Sequence, residues 1–349
     1  MRLVNSPDCA PALNEGVPVP FHEQEIARKL HEIIHTGLAD LPAPGSGRTL
    51  ERWQALAQVA AQDLSLAKLF EGHTDALAIR RELNAPPAPP GSSWGMWAAE
   101  APDAKVVFHP NEGVDGGHSV WLDGRKAWCS GARSVSHGLL TVWRNDGTGP
   151  FLASVAMHQP GVQLLNEAWP AIGMAASASI DVVFSSARAQ LVGQAGAYLA
   201  RPGFWHGGAG IAACWLGGAQ ALAYALWQAA AQHGPGERLL LRQIALGKVD
   251  LALQHTTALL RETAAWIDAQ PTADASVLAL RVRLSAEASA DQVLAETGRA
   301  LGAAPFCKDA SFARMACDLP VFLRQSHAER DFAALGKRIA AQGPQSWAL

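Results

Sequence analysis

The sequence predicts an α+β fold: N-terminal helices, a central antiparallel β domain and a C-terminal four-helix bundle. Three observations predict it. Apolar residues recur at three- and four-residue steps over residues 22–84 and again from 207 onward, the spacing that lines one face of a helix. Between these regions, residues 94 to about 192 change to short β-branched and aromatic runs. The run Ala85-Pro-Pro-Ala-Pro-Pro-Gly-Ser-Ser93 separates the first helices from the strands, because its four prolines remove backbone donors and force extended chain. The expected division is 1–91, 92–200 and 201–349.

The first helix covers 22–37, with Ile26, Leu30, Ile33 and Ile34 on one side. The second covers 50–72, with Trp53, Leu56, Val59 and Ala60, and a third short one follows Gly72 through Leu77, Ile79 and Leu83. The strands are read at Val106–Phe108, His118–Leu122, Leu139–Trp143, Phe151–Val155, Val162–Leu165 and Ile180–Phe184. Asp123-Gly124, Asp146-Gly147 and Pro160-Gly161 supply turns between them. The last region gives four long helices near 207–233, 238–268, 274–304 and 310–340, broken at Gly234-Pro-Gly236, Pro271 and Pro305. In the second of these, Leu241, Ala245, Val249, Ala252, Thr256 and Leu259 hold one face, as a bundle helix requires.

With 28 basic and 31 acidic side chains among 349 residues, the net charge of −3 offers no bulk basic field for nucleic acid or anionic lipid. Charged residues make up only 17 % while hydrophobic ones reach 49 %, with 12 tryptophans, so another subunit is expected to cover part of the surface. Cys9, Cys129, Cys214, Cys307 and Cys317 form an odd set without a CxxC pair. That argues against a disulfide scaffold or a cysteine-rich zinc site and for a reducing cytoplasm. The opening residues lack the apolar stretch of a signal peptide. Gly207–His233 carries no formal charge and exceeds the roughly 20 residues that span a bilayer. It is mostly Gly and Ala and includes Gln220, Gln228 and Gln232, so it is read as a buried bundle helix and no membrane association is expected.

Several strings, in order, resemble the acyl-CoA dehydrogenase superfamily from about residue 50 to 340. Trp97-Ala-Ala-Glu100 stands where a "TE" motif opens the family's β domain. Leu122-Asp-Gly-Arg-Lys-Ala-Trp-Cys-Ser130 resembles its "NG-K-WIT" strand and turn. Gly173-Met-Ala-Ala-Ser-Ala-Ser179 with Val182-Val-Phe184 resembles its "GMRAS…V-F" segment. Ile211-Ala-Ala-Cys-Trp-Leu-Gly-Gly-Ala-Gln-Ala-Leu222 is similar to the first long helix of the family's bundle. Arg299-Ala-Leu-Gly-Ala-Ala-Pro-Phe306 takes the place of its glycine-rich flavin-contact turn, and Asp318 that of the "RD" that follows.

The resemblance implies FAD held between the β domain and the bundle, with its adenosine half reaching a neighbouring subunit. Trp128 and Ser130 inherit the places beside the flavin and near its N5. Ala99 takes the place of a threonine at the pyrimidine edge, and Arg299 and Gly302 lie toward the phosphates. An indole offers a rigid apolar wall for an isoalloxazine, and a hydroxyl near N5 can stabilise charge on the reduced ring. Read without the resemblance, Trp128 is a core aromatic and Ser130 a turn residue.

The sequence departs from the family where its catalytic glutamate stands. Eight residues after Asp318 lies Ser326, and the alternative place, at the start of the first bundle helix, is near Gly207; neither is a carboxylate. Glu329 and His206 are the candidate bases, with His327 the third. Arg324, Arg330 and Asp331 offer Glu329 ordinary ion pairing instead. The threonine of "TE" is Ala99, the string after it is Ala101-Pro-Asp-Ala104, and the Gln of the flavin-contact turn is Arg299, which could meet a pyrophosphate with two donors. The nearest remnant of the bundle's early "R-x-x-F-G" is Arg242-Gln-Ile-Ala-Leu-Gly247, and the N-terminal helical region is short for the family.

Other chemistry finds little support. Gly45-Ser-Gly47 and Gly207-Gly-Ala-Gly210 lack the Lys-Ser/Thr of a P-loop, and Gly72-His73-Thr74-Asp75 as a metal pair lacks a third ligand, so no metal is expected. Three functions are expected, in order. The first is an FAD-dependent oxidoreductase that oxidises a CH–CH bond of an acyl thioester or related substrate by proton abstraction and hydride transfer. The second is a flavin-dependent monooxygenase on the same scaffold, with Arg201-Pro-Gly-Phe-Trp-His206 lining a site for a substrate without CoA. The third is a binding or assembly subunit without catalysis. The resemblance also implies a homodimer or homotetramer, acyl-CoA or another small-molecule substrate, and an electron-transfer partner.

Overall fold

A computed structural model of the chain describes residues 21–111, 118–165, 169–232, 236–343 and 347. The opening of the chain, Cys9 and the Gly234-Pro235 part of the first break between the C-terminal helices lie outside the described residues. Three helices come first: α1 Phe21–His35, α2 Thr49–Gln62 and α3 Leu64–Glu82. The helix expected to end at Gly72 instead breaks at Asp63. There the backbone is extended and the side chain accepts the Leu66 N–H at 2.9 Å, capping a new helix. Gly72 lies inside α3.

Seven strands follow: β1 Trp94–Trp97, β2 Val106–Pro110, β3 Ser119–Cys129, β4 His137–Arg144, β5 Phe151–Ala156, β6 Val162–Leu164 and β7 Ile180–Val192. Pairings run β4–β2–β3–β7–β5 and back to β4, closing a barrel-like circuit that leaves few open edges. Most are antiparallel as expected, but β4 lies parallel to both β1 and β2. These partners come from separate turns of the chain, which the strand-by-strand pattern cannot reveal. The β3–β7 register shifts between Lys126 and Cys129, and Trp128 takes a positive φ of 58°.

The helices resume with α4 Ala197–Ala200, α5 Gly203–Ala230, α6 Glu237–Ala269, α7 Ser276–Leu301 and α8 Ala304–Lys308. The expected fourth long helix is two pieces, α9 Ala310–Leu323 and α10 Glu329–Gln342. Residues 324–328 turn between them, and Ala328 has φ 46°. Helix α5 is the centre of the molecule, with Trp215, Leu222 and Leu226 at most 1 % exposed. Its small residues admit close neighbours: a β-carbon on Gly217 would come within 2.2 Å of the Ala57 carbonyl oxygen of α2. It alone among the described helices is long and apolar enough to cross a membrane, and 78 % of its most apolar window is buried inside the protein.

Candidate functional site

A cavity of about 660 Å³ opens between the sheet and the helices, within the range of small-molecule sites. Its sheet wall carries Trp97, Trp128, Ser130, Ser177 and Ser179; α3 contributes Lys68, Glu71 and Asp75. The start of α5 contributes Phe204 to Gly208 apart from His206, and the α9–α10 junction contributes Gln325, His327 and Asp331.

The sheet wall is built on a buried ion pair. The Lys126 ammonium, fully buried, donates to Glu100 Oε1 at 2.9 Å and Thr141 Oγ1 at 2.6 Å, and Trp143 Nε1 donates to Glu100 Oε2 at 3.2 Å. Lysines survive burial when paired and hydrogen-bonded in this way. The pair fastens the 97–100 segment to β3 two residues before Trp128, whose indole is 55 % exposed. Beside it the Ser130 and Ser179 hydroxyls meet at 2.7 Å and those of Ser177 and Ser179 at 3.0 Å. On the opposite side, Asp318 of α9 accepts the Met174 N–H at 2.6 Å, tying the bundle to the segment before β7.

Most charged groups lining the cavity are partnered. Lys68 meets Glu71 at 3.1 Å, Arg201 meets Glu82 at 2.7 Å and Arg324 meets Glu287 at 2.7 Å. Arg283 donates to the Gly208 and Gln325 carbonyls, and Asp331 accepts from the His327 N–H. Asp75 differs: among the described residues its carboxylate has no hydrogen-bond or ion-pair partner. It stands against Gly207, whose absent β-carbon would lie 2.9 Å from Oδ1. Burial pushes the Asp75 carboxyl above its ordinary range and Glu71 adds to this, while Arg201, Arg52 and Lys68 oppose it.

The structure brings Trp128, Ser130 and Ala99 together on the cavity wall. It does not bring His206 or Glu329 there. His206 is 2 % exposed and turns the other way, toward Gly45 and Pro271, with Nε2 unpartnered. On a helix, the side chains of neighbouring residues 206 and 207 point about 100° apart, so one faces the cavity and the other the N-terminal loop. Glu329 is exposed at the first turn of α10 because the chain turns at 324–328 instead of continuing the helix through Ser326. Arg299, 72 % exposed, meets Glu296 at 2.9 Å at the far end of α7, with Gly302 as its C-cap. Neither lines the cavity.

Sequence reasoning missed Asp75 and Arg283 as cavity groups. Their signal was available: Lys68, Glu71 and Asp75 repeat at three- and four-residue steps on a helix whose other faces are mostly buried. His73 and Asp75 do not form a metal pair, because His73 Nδ1 accepts the Trp94 N–H at 3.2 Å while Asp75 faces the cavity.

No family model matches the sequence, and no curated protein is similar to it. Solved structures are similar in fold. KijD3 in complex with FMN and a dTDP-amino-keto sugar is 18 % identical, with a TM-score of 0.74 over 92 % of this chain and 91 % of that one. Butyryl-CoA dehydrogenase from Megasphaera elsdenii is 14 % identical, with a TM-score of 0.72 over 93 % and 100 %. Methanesulfinate monooxygenase MsuC from Pseudomonas fluorescens is 19 % identical, with a TM-score of 0.67 over 92 % and 95 %. The chain therefore has the acyl-CoA dehydrogenase fold, as its ordered motifs predicted.

Proposed function

We propose that the protein is a flavin-dependent oxidoreductase whose cavity oxidises a CH–CH bond of an acyl thioester or a related small molecule. The observation that carries this reading is the wall formed by Trp128, Ser130 and Ala99, together in one cavity between sheet and bundle. The residues fit a flavin ring. The indole is exposed toward the cavity instead of packed in the core, and the serine hydroxyls beside it offer donors to a polar ring edge. When bound, flavin supplies a two-electron acceptor. Trp128 would hold one face of the ring and Ser130 would donate toward it.

FAD rather than FMN follows if Arg299 and Gly302, exposed at the end of α7, meet the phosphates of a cofactor bound by a neighbouring copy. The exposed apolar residues Tyr224, Trp227, Leu240, Leu241, Ile244 and Leu251 on α5 and α6 support self-association into a dimer or tetramer. The burial of α5 within the protein and the free thiols of Cys129, Cys214, Cys307 and Cys317 support a soluble enzyme of a reducing cytoplasm. An external electron acceptor would complete the cycle.

A second reading is oxygen-dependent monooxygenation. It is favoured by the lack of a carboxylate at Ser326 and at the start of α5 near Gly207, where the resemblance implies the glutamate, and by the FMN complex and the monooxygenase among the structures of like fold. Anaerobic bleaching of the loaded protein by butyryl-CoA supports the first reading. Failure to bleach, with substrate-coupled oxygen uptake after chemical reduction, supports the second; protein that takes up neither FMN nor FAD overturns both.

A further inference from the structure

We propose that Asp75 is the catalytic base of the cavity, a carboxylate that α3 supplies into the space a side chain on Gly207 of α5 would occupy. The inference rests on the dehydrogenase reading and assigns its missing residue.

Three observations carry it. The carboxylate lines the cavity and lies against the start of α5, with Oδ1 2.9 Å from where a β-carbon of residue 207 would stand. Gly207 lies near one of the two places where the resemblance implies a carboxylate, and a glycine there leaves the volume free. Asp75 has no hydrogen-bond partner among the described residues, whereas the lining groups Lys68, Glu71, Arg201, Arg324 and Asp331 are engaged elsewhere. A structural carboxylate in a protein interior is normally satisfied by donors, and one left free in a cavity is available to a ligand.

The groups around it suit a base. Arg201 and Tyr198 lie on the α4–α5 side, with Lys68, Glu71 and Arg52 from α2 and α3. Burial favours the protonated form, so the carboxylate gains a proton more readily than an exposed aspartate, while Arg201 keeps the ionised form accessible. In the step proposed, Asp75 Oδ takes the proton from the carbon beside the thioester carbonyl. The electron pair of that C–H bond forms the new C=C bond as the neighbouring carbon releases a hydride to oxidised flavin. The substrate thus loses one proton and one hydride, flavin gains two electrons, and the Asp75 proton later leaves to solvent.

The proton step can be read without net oxidation, as deuterium uptake at C2 of butyryl-CoA in D2O by flavin-loaded protein under anaerobic conditions. Wild-type protein should exchange, Asp75→Asn should exchange at least about 100-fold more slowly, and Asp75→Glu should recover part of the rate. Asp75→Asn should take up flavin like the wild type and melt no lower, since it removes a half-buried carboxylate without a hydrogen-bond partner. A carboxyl 13C resonance titrating above the ordinary aspartate range in flavin-free wild type should be missing from Asp75→Asn. Exchange by Asp75→Asn at the wild-type rate, or no exchange by loaded wild type, overturns the assignment while leaving flavin binding intact. Absence of the raised carboxyl titration overturns it as well. Failure of the wild type to load flavin overturns the functional reading itself and the assignment with it.

Discussion

The Asp75 carboxylate fills the space that a side chain on Gly207 would need, a relationship between α3 and α5 that neither helix reveals alone. Gly207→Ala is therefore a probe of the site. Alanine favours a helix over glycine by about 1 kcal/mol, and the group in its way is the movable end of a side chain. The variant should melt within a few degrees of the wild type while deuterium exchange falls about tenfold, because the carboxylate is pushed from its place. Undiminished exchange would show that its position does not matter.

The Lys126–Glu100 pair predicts an asymmetry. Lys126 is fully buried while Glu100 is 38 % exposed. Glu100→Ala leaves a buried ammonium with only Thr141 as partner and should cost about 3 kcal/mol. Lys126→Met leaves a carboxylate that water can reach and should cost less. Urea unfolding of both variants checks the order; equal losses would mean that the pair is not held in this desolvated geometry.

His73 predicts an acid-sensitive fold. Burial lowers its pKa to about 4 from an ordinary 6.5, and its Nδ1 accepts the Trp94 N–H. Below pH 6.5 the unfolded chain binds a proton that the folded chain refuses. Stability from this residue is thus full above pH 6.5 and is lost as pH falls toward 4, by on the order of 3 kcal/mol. His73→Asn should flatten that part of the stability-against-pH curve; an unchanged slope contradicts the neutral buried histidine.

Asp318 works in the opposite sense. Burial, the largest influence, raises its pKa to about 6 despite the Met174 N–H. Between pH 3.8 and 6 the folded chain keeps a proton that the unfolded chain releases, so this contribution declines as pH rises through that window and is constant above it. Asp318→Asn retains an acceptor for Met174 and should be more stable than wild type at pH 7.5, by up to about 2 kcal/mol, with the difference vanishing toward pH 4. A less stable variant at pH 7.5 would show that the carboxylate is better solvated than its burial implies.

The order of helices and strands was legible in the sequence because hydrophobic period and the Pro-rich 85–90 segment are local signals. The break at Asp63 was missed because Gly72 looked the stronger interruption, although an aspartate able to cap is as good a stop as a glycine. The parallel pairings of β4 and the turn at 324–328 depend on contacts between distant segments. The candidate site divides the same way. Trp128 and Ser130 lie in a contiguous motif and both line the cavity, whereas Asp75, the base we propose, stands on α3. No spacing along one element can show that, because only packing brings residues 75 and 207 together.

The proposal that the Trp128 wall holds a flavin is tested most directly by a spectral titration. Purified protein titrated with FMN and with FAD should perturb the flavin absorbance and quench tryptophan fluorescence saturably, and Trp128→Ala should weaken binding at least about tenfold, as loss of a ring-stacking aromatic does. Flavin spectra unchanged by the wild type, or equal binding by Trp128→Ala, would contradict it.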